Sequence, residues 1–291
     1  MSELRAPYDY SPIIRRKPIR WPNNARIAVW VIPNIEHFRL DLPSPAAIVP
    51  GAAQAVPDVI NYAWRDYGVR VGVWRMIEVM ARHHVRGTVA LNSDVCREYP
   101  VIIEECQKLG WEFMAHGTTN SIFMNRLKPE EQRAAIRESI EVITKSTGQR
   151  PEGWLGPGLA ETPETLDLLA EAGVRYVGDW VNDDQPYPMR VKTGSMLSMP
   201  YPIELNDVVG LIMAYQMPRD FEELCREQFD VLYEEGATNG RVMGIAIHPY
   251  IIGTPNRIRC LDHVLAYLAR HEGVWFATGQ EIADWYRTHY L

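Results

Sequence analysis

Cysteine is scarce in this chain, and its distribution excludes two kinds of site. The 291 residues include four cysteines, all far apart, with no C-x-x-C pair. A zinc site of the finger type or a redox pair needs cysteines at such close spacing. Free cysteine is usually a buried packing residue. We therefore expect four reduced core side chains: Cys96, Cys106, Cys225 and Cys260.

The chain also lacks a block of basic residues and a long apolar run. Thirty basic against thirty-seven acidic residues give a formal net charge of −7, so nucleic acid and anionic membrane surfaces are not expected partners. No apolar run approaches the ~18 residues that cross a bilayer. Residues 1–33 lack the layout of a secretory signal. These absences predict a cytoplasmic protein without a membrane partner.

Motifs of several common protein classes are missing as well. No G-x-G-x-x-G or Walker-type loop follows the first apolar run, which disfavours dinucleotide and nucleotide binding. No G-x-S-x-G elbow occurs, and the K-T-G at residues 192–194 has no S-x-x-K before it. The sequence therefore also disfavours a serine hydrolase.

What the chain does contain is an alternation of strand and helix patterns. The run R-I-A-V-W-V-I-P, which begins at Arg26, is typical of a buried strand that ends at Pro33. Strands followed by helices predict a parallel α/β sheet with helices outside, and we expect a barrel rather than an open sheet. The later segments are a helix at 73–83, a strand at 87–92, a helix at 100–109, a strand at 111–115 and a helix at 129–147.

Prolines and the absence of a linker set the expected domains. Residues 1–24 contain four prolines, which predicts an extended Pro-rich arm over residues 1–25 that wraps the domain or a neighbour. No repeat, low-complexity tract or linker interrupts the rest of the sequence. Residues 26–291 are therefore expected to form a single catalytic domain.

Polar residues directly after the apolar runs are the candidate functional residues, because working side chains of a parallel barrel lie at the carboxyl ends of its strands. Asparagine and aspartate at such positions are often only turn formers. Glu36, His116 and His248 are less easily explained in that way. The candidates are Asn34, Glu36, His37, His116, Asn120, Asp179, Asn182, Asp183, Asp184, Tyr187 and His248.

The order of these residues resembles the polysaccharide deacetylase (NodB-like) superfamily. The shared pieces are a glutamate after the first strand, H-G-T-T-N, W-L-G-P-G, D-D-Q-P-Y and a late I-H-P-Y-I-I-G-T-P-N-R. Residues 64–75, W-R-D-Y-G-V-R-V-G-V-W-R, are similar to the branch that holds allantoinases and certain peptidoglycan deacetylases. The resemblance implies an irregular (β/α) barrel with fewer than eight repeats.

The resemblance also raises the question of a metal. In metal-using members an acidic residue and two histidines four apart bind a divalent ion that activates water. Glu36 and His116 match the first two ligands, which implies one divalent ion, and zinc is the ion we expect there. Asn120 stands where the second histidine would be, and Asn34 where the catalytic aspartate would be. Because amides are poor zinc ligands and cannot act as bases, a metal-bound and a metal-free site both stay open.

The resemblance implies roles for the other candidates. His248 would be the general acid for the leaving nitrogen, since imidazole changes charge near neutrality. Glu36 would then be the general base, with or without an ion. Asp184 is expected to orient a histidine or to bind an amide or urea group. Expected substrate contacts are Asn34, Asn120, Trp180 and Tyr187.

Three functions follow from these expectations. The first is hydrolysis of a non-peptide carbon–nitrogen bond in a small cyclic amide or ureide, as in allantoinase-like members. The second is deacetylation of an N-acetyl sugar or a peptidoglycan fragment. The third is a catalytically degenerate barrel that binds a ligand or a partner, because fold does not establish function. A working site should bring Glu36, His116 and His248 around one pocket. The arm and the resemblance both indicate a homo-oligomer.

Overall fold

The computed structural model describes residues 5–45 and 55–291, and its sheet is built around one long buried strand. This strand, β1, spans Ile27–Ile35, and every one of its residues is buried. A continuous apolar run of this kind is typical of a parallel strand covered on both faces. The strand extends two residues beyond the predicted end at Pro33. Pro33 lies where pairing with one neighbour ends and pairing with the other begins, a position that tolerates a missing N–H.

Strands and helices alternate along most of the remaining chain. The other strands are β2 Thr88–Leu91, β3 Glu112–Ala115, β4 Gly153–Trp154, β5 Tyr176–Val177, β6 Tyr187–Met189, β7 Met196–Ser198, β8 Arg241–Ile247 and β9 Val274–Phe276. The helices are α1 Val59–Tyr67, α2 Val73–Arg82, α3 Ser93–Glu98, α4 Pro100–Lys108, α5 Pro129–Thr147, α6 Thr165–Glu171, α7 Pro218–Gly236, α8 Ile258–Leu268 and α9 Gly279–Tyr290. A π-helical turn, Gly68–Gly72, joins α1 to α2, and a second one spans Val208–Met213.

The strands form one curled sheet in the order β6-β7-β5-β4-β3-β2-β1-β8, and β9 also pairs with β1. All pairs are parallel except β6 with β7. In the described part of the chain no ladder joins β7 to β8. Instead, the segment 200–207 crosses the gap, where Asn206 forms an isolated bridge with Ala246. The predicted irregular (β/α) barrel is therefore confirmed.

Side chains of β1 alternate between two hydrophobic cores. Val29 and Val31 pack outward against the helices, whereas Trp30 and Ile32 point into the barrel. The Trp30 ring meets the ring of Tyr201 edge-on, with 6.4 Å between centroids. Because large side chains fill the interior, polar chemistry is confined to the ends of the barrel.

The N-terminal arm packs against its own chain. Its Ile19 and Trp21 are buried, and the guanidinium of Arg16 donates to both carboxylate oxygens of Asp183 at 2.7 and 2.5 Å. Residues 1–4 of the predicted arm lie outside the described residues. The four cysteines are free and buried, as predicted. Among the helices that the structure describes, none has the length and apolar character needed to cross a membrane.

Candidate active site

Three strands deliver a carboxylate and two imidazoles to one cavity at the carboxyl end of the barrel. Glu36 follows β1, His116 follows β3 and His248 follows β8. One carboxylate oxygen of Glu36, Oε1, lies 3.5 Å from Nε2 of His116 and 3.7 Å from Nε2 of His248. All three side chains are at most 6% exposed. They border a cavity of about 480 Å³, so the structure brings together the residues whose convergence the sequence predicted.

Glu36 is held as an anion by its surroundings. The amide Nδ2 of Asn120 donates to Oε1, and the hydroxyl of Tyr250 donates to Oε2 at 3.0 Å. Burial would raise the pKa of Glu36, but the charge of His248 and the hydrogen bond from Tyr250 hold that pKa below its ordinary value. A carboxylate that accepts several hydrogen bonds keeps its negative charge and is a weak proton acceptor.

His248 is paired with a buried aspartate that the sequence analysis did not single out. Its Nδ1 lies 2.6 Å from Oδ1 of Asp207. The other oxygen of Asp207 accepts from the backbone N–H groups of His248 and Ile252 at 2.8 and 3.3 Å. Burial would lower the pKa of His248, but the charges of Asp207 and Glu36 raise it above its ordinary value. The two anions therefore favour the charged form of this imidazole, which carries a proton on Nε2 that it can donate.

His116 is oriented by a backbone carbonyl instead of a carboxylate. Its Nδ1 lies 2.5 Å from the carbonyl oxygen of Leu155. Because a carbonyl can only accept, Nδ1 must carry a proton. The other nitrogen, Nε2, is buried and has no hydrogen-bond partner among the described residues. It points toward Glu36 and is available to a water or a substrate.

The side chains around Glu36 do not fit a divalent metal ion. Asn120 occupies the place of a third ligand, but its NH₂ group, not its oxygen, faces the carboxylate. Its Oδ1 accepts from Nδ2 of Asn92 at 3.3 Å, which supports this orientation of the amide. A catalytic zinc needs about three protein ligands. Within residues 5–45 and 55–291 no group of three His, Cys, Asp or Glu side chains has an arrangement that would hold a metal.

Asn34 lies in the floor of the same cavity but is tied to its neighbours. Its Oδ1 accepts from the hydroxyl of Tyr201 at 3.3 Å, and its Nδ2 donates to the carbonyl of Ile32 at 3.1 Å. Asn206 lies 3.5 Å from the same hydroxyl. Asn34 and Asn120 therefore both reach the cavity, where the sequence analysis expects them to contact substrate.

Aromatic and aliphatic side chains wall the upper part of the cavity. The ring of Trp64 meets that of Tyr250 edge-on at 4.9 Å between centroids. Gly72 explains why the segment 64–75 and the H-P-Y loop can lie so close together, since any side chain there would collide with the carbonyl of Pro249. Other wall residues are Phe38, Phe123, Leu159, Val208, Val209, Ile212 and Met213.

Three predicted site residues lie away from Glu36. Asp184 and Tyr187 border a second cavity, of about 620 Å³, beneath the N-terminal arm. The Asp184 side chain is exposed, and the hydroxyl of Tyr187 donates to Asn182 at 2.7 Å. The ring of Trp180 packs edge-on against Tyr8. The structure therefore does not bring these three side chains to the histidines, and the carboxylate that contacts His248 is Asp207 in place of the predicted Asp184.

Comparison with known proteins agrees with this fold. A family model described as polysaccharide deacetylase matches residues 62–177. A curated relative from Schizosaccharomyces pombe, named putative polysaccharide deacetylase, is 28% identical over 92% of this chain and 93% of its own length. The peptidoglycan deacetylase of Helicobacter pylori is 23% identical over 74% of this chain and 83% of its own.

Solved structures show the same architecture over nearly the whole chain. The crystal structure of a probable polysaccharide deacetylase from Pseudomonas aeruginosa is 30% identical, with a TM-score of 0.84 over 93% of this chain and 94% of that one. The crystal structure of Puue allantoinase is 27% identical, with a TM-score of 0.87 over 97% and 99% of the two chains.

Proposed function

This chain belongs to the polysaccharide deacetylase family, and from that premise we propose that it hydrolyses a carbon–nitrogen bond of a small cyclic amide or ureide. One observation carries the proposal. Glu36, His248 with its Asp207 partner, and the unpartnered nitrogen of His116 converge on one cavity. This combination is suited to general acid and base catalysis of amide hydrolysis.

His248 is the general acid of the proposed reaction. The anions of Asp207 and Glu36 raise the pKa of the imidazole and so favour the form with a proton on Nε2. That proton passes to the leaving nitrogen as the carbon–nitrogen bond breaks. Asp207 stabilises the charged form and holds the ring in place.

In this mechanism the attacking water is in the cavity, hydrogen-bonded to both Glu36 and His116. Oε1 of Glu36 and Nε2 of His116 both face the cavity at 3.5 Å from each other, so both can accept from one water. The lowered pKa of Glu36 makes it a poor proton acceptor. We therefore assign the base to His116 and the orientation of the water to Glu36, a revision of the role expected for Glu36 from the sequence.

Cavity size supports a small substrate over a polymer. The cavity of about 480 Å³ is walled mainly by apolar side chains and has room for a small ring compound, whereas a polysaccharide needs a long groove that admits sugars on both sides of the reacting one. The amides of Asn34 and Asn120 would contact the ureide, a group rich in donors and acceptors. Deacetylation of an N-acetyl sugar is the second candidate, because the curated relatives are named polysaccharide and peptidoglycan deacetylases.

Assays of the purified full chain separate the two. We expect hydrolysis of allantoin, or of another five-membered cyclic ureide, and no acetate release from N-acetylglucosamine oligomers. The His248→Gln variant is the matched control for contaminating activity. Acetate release from the oligomers without ureide hydrolysis would contradict the proposal, and inactivity on both classes of substrate would favour a ligand-binding barrel.

Metal content is tested separately. Because Asn120 presents its amino group to Glu36, we expect protein purified without chelator to contain less than one equivalent of metal. We also expect turnover to survive dialysis against a chelator. Stoichiometric zinc whose removal abolishes turnover would show that the side chains rearrange around an ion.

We also propose that the chain forms a homo-oligomer in the cytoplasm. Support comes from the N-terminal arm, where the large apolar side chains of Tyr10 and Ile14, four residues apart, are 91% and 88% exposed. Light scattering of the purified chain tests the assembly, and a monomer at micromolar concentration would contradict it. Fractionation of the source cells tests the location.

A further inference from the structure

One peptide group in the site is hydrogen-bonded at both ends. The N–H of Gly156 donates to Oδ1 of Asp179 at 2.6 Å, and the carbonyl of Leu155 accepts from Nδ1 of His116 at 2.5 Å. These two atoms belong to the same planar trans peptide and point in opposite directions. A carboxylate, a peptide and an imidazole therefore form one continuous hydrogen-bonded series, in which each hydrogen bond polarises the next.

The register of the sheet, and not loop geometry alone, places the three groups of this hydrogen-bonded series next to one another. The strands β3, β4 and β5 are neighbours, with Ala115 in register with Trp154 and Trp154 with Val177. His116 comes one residue after its paired position, and Asp179 comes two residues after its own. The three partners therefore emerge side by side at the carboxyl end of the barrel, and Asp179 is buried there.

A second carboxyl group, Glu161, explains how Asp179 can be ionised while buried. Oδ2 of Asp179 and Oε1 of Glu161 are buried acceptors that have no hydrogen-bond donor in the described structure. Burial and the neighbouring carboxylate raise the pKa of Glu161 to about 9, whereas the pKa of Asp179, raised mainly by burial, reaches only about 6. One proton shared between the two oxygens would satisfy both of them, and the higher pKa of Glu161 favours this residue as its carrier.

We propose that Asp179, with protonated Glu161 beside it, is a positioning residue that acts on His116 through the Leu155–Gly156 peptide. The negative charge strengthens the Leu155 carbonyl as an acceptor and keeps the His116 proton on Nδ1. Nε2 then faces the cavity as an acceptor, and the positive charge that forms on His116 during turnover is stabilised. This inference rests on the hydrolytic function proposed above.

Two isosteric substitutions in the same pair have different expected effects. Asp179→Asn keeps an oxygen that accepts from Gly156 but removes the charge, so kcat should fall about tenfold to a hundredfold, with little change in KM. Glu161→Gln keeps a donor to Asp179, so its kcat should fall far less. The pH profile of Asp179→Asn should also differ from the native one, because the variant removes a buried negative charge that is linked to His116 through the peptide.

Glu112→Gln is the matched control. Glu112 is a buried carboxyl at the opposite end of β3, where it accepts from Tyr176 at 2.6 Å and from Thr88 at 2.8 Å. This variant should lower the melting temperature without changing kcat or the pH profile. Equal losses of kcat in Asp179→Asn and Glu161→Gln, with unchanged pH profiles, would overturn the proposal, since a purely structural contact would give that result.

A spectroscopic test does not depend on turnover. In protein labelled with ¹⁵N at its eight histidines, the His116 signals are those lost in His116→Gln. We expect a protonated Nδ1 and an unprotonated Nε2 in the native chain, and a shift toward the other tautomer in Asp179→Asn. A native Nε2–H tautomer, or identical His116 signals in native and Asp179→Asn protein, would refute the inference even if the substrate proposal fails for other reasons.

Discussion

Two cavities meet at Tyr201 and Ile203, and they differ in the state of their charged groups. The larger one, about 620 Å³, lies beneath the arm, where Arg16 and Asp183 neutralise each other. The smaller one, about 480 Å³, is bordered by the carboxylate of Glu36 together with two imidazoles. The volume of a cavity therefore does not identify the candidate active site in this molecule. The convergence of buried ionisable groups on one point identifies it.

The largest expected effect is that of His248→Gln. Loss of a general acid lowers kcat about 10²-fold to 10⁴-fold, while circular dichroism should show the native fold. The same loss in a variant of the larger cavity, such as Asp184→Asn, would break the comparison between the two cavities.

Asp207→Asn should have the next largest effect. The amide can still contact Nδ1 of His248 but no longer stabilises the imidazolium, so we expect kcat to fall about 100-fold or more. The alkaline limb of the pH profile should move to lower pH, because the pKa of His248 is no longer raised by this anion. An unchanged alkaline limb would show that Asp207 is not the group that sets the charge of His248.

The native pH profile sharpens the comparison further. The pKa of His248 lies above the ordinary 6.5 and that of Glu36 below the ordinary 4.5. Activity should therefore fall as the pH rises through the pKa of His248 and as it falls through that of Glu36. The stability that His248 contributes is complete below 6.5 and is lost above its folded pKa, whereas that of Glu36 is complete above 4.5 and is lost in acid. Plots of kcat/KM and of melting temperature against pH check both limbs.

Asp184→Asn should have the smallest effect. The side chain is exposed and borders the larger cavity, beneath the N-terminal arm. We therefore expect an unchanged kcat and a change in unfolding free energy below about 0.5 kcal/mol. A large loss of kcat with native stability would restore the catalytic role that the sequence predicted for this residue.

Much of the fold could be predicted because its elements follow local rules. Helix α5, for example, occupies the predicted residues 129–147, and Gly148 ends it with a left-handed φ of 70°. The strand β1 was also recognisable from its apolar run, apart from its last two residues. The sheet order and the gap that segment 200–207 crosses depend on contacts between distant residues, which periodicity does not reveal.

The site could be predicted only where residues follow parallel strands. Glu36, His116 and His248 do so, and the sequence analysis brought them together on that ground. Asp207 could not be predicted in this way because it lies in the segment that crosses the gap and does not directly follow a strand. Tyr187 and its neighbour Asp184 lie beyond β5, at the start of the antiparallel strand β6, where the rule for parallel strands no longer applies. The polar pair N-D within an otherwise apolar stretch was the available signal for Asp207.

The segment that crosses the open side of the barrel also ends in Asp207, the counter-ion of His248. If this segment detaches, His248 loses one of the two anions that raise its pKa, so its charged form becomes less favourable. Val208 and Ile212, which follow directly, line the mouth of the cavity. The same segment therefore crosses the gap in the barrel and supplies the counter-ion of the general acid. We expect molecules in which this segment is detached to be less active.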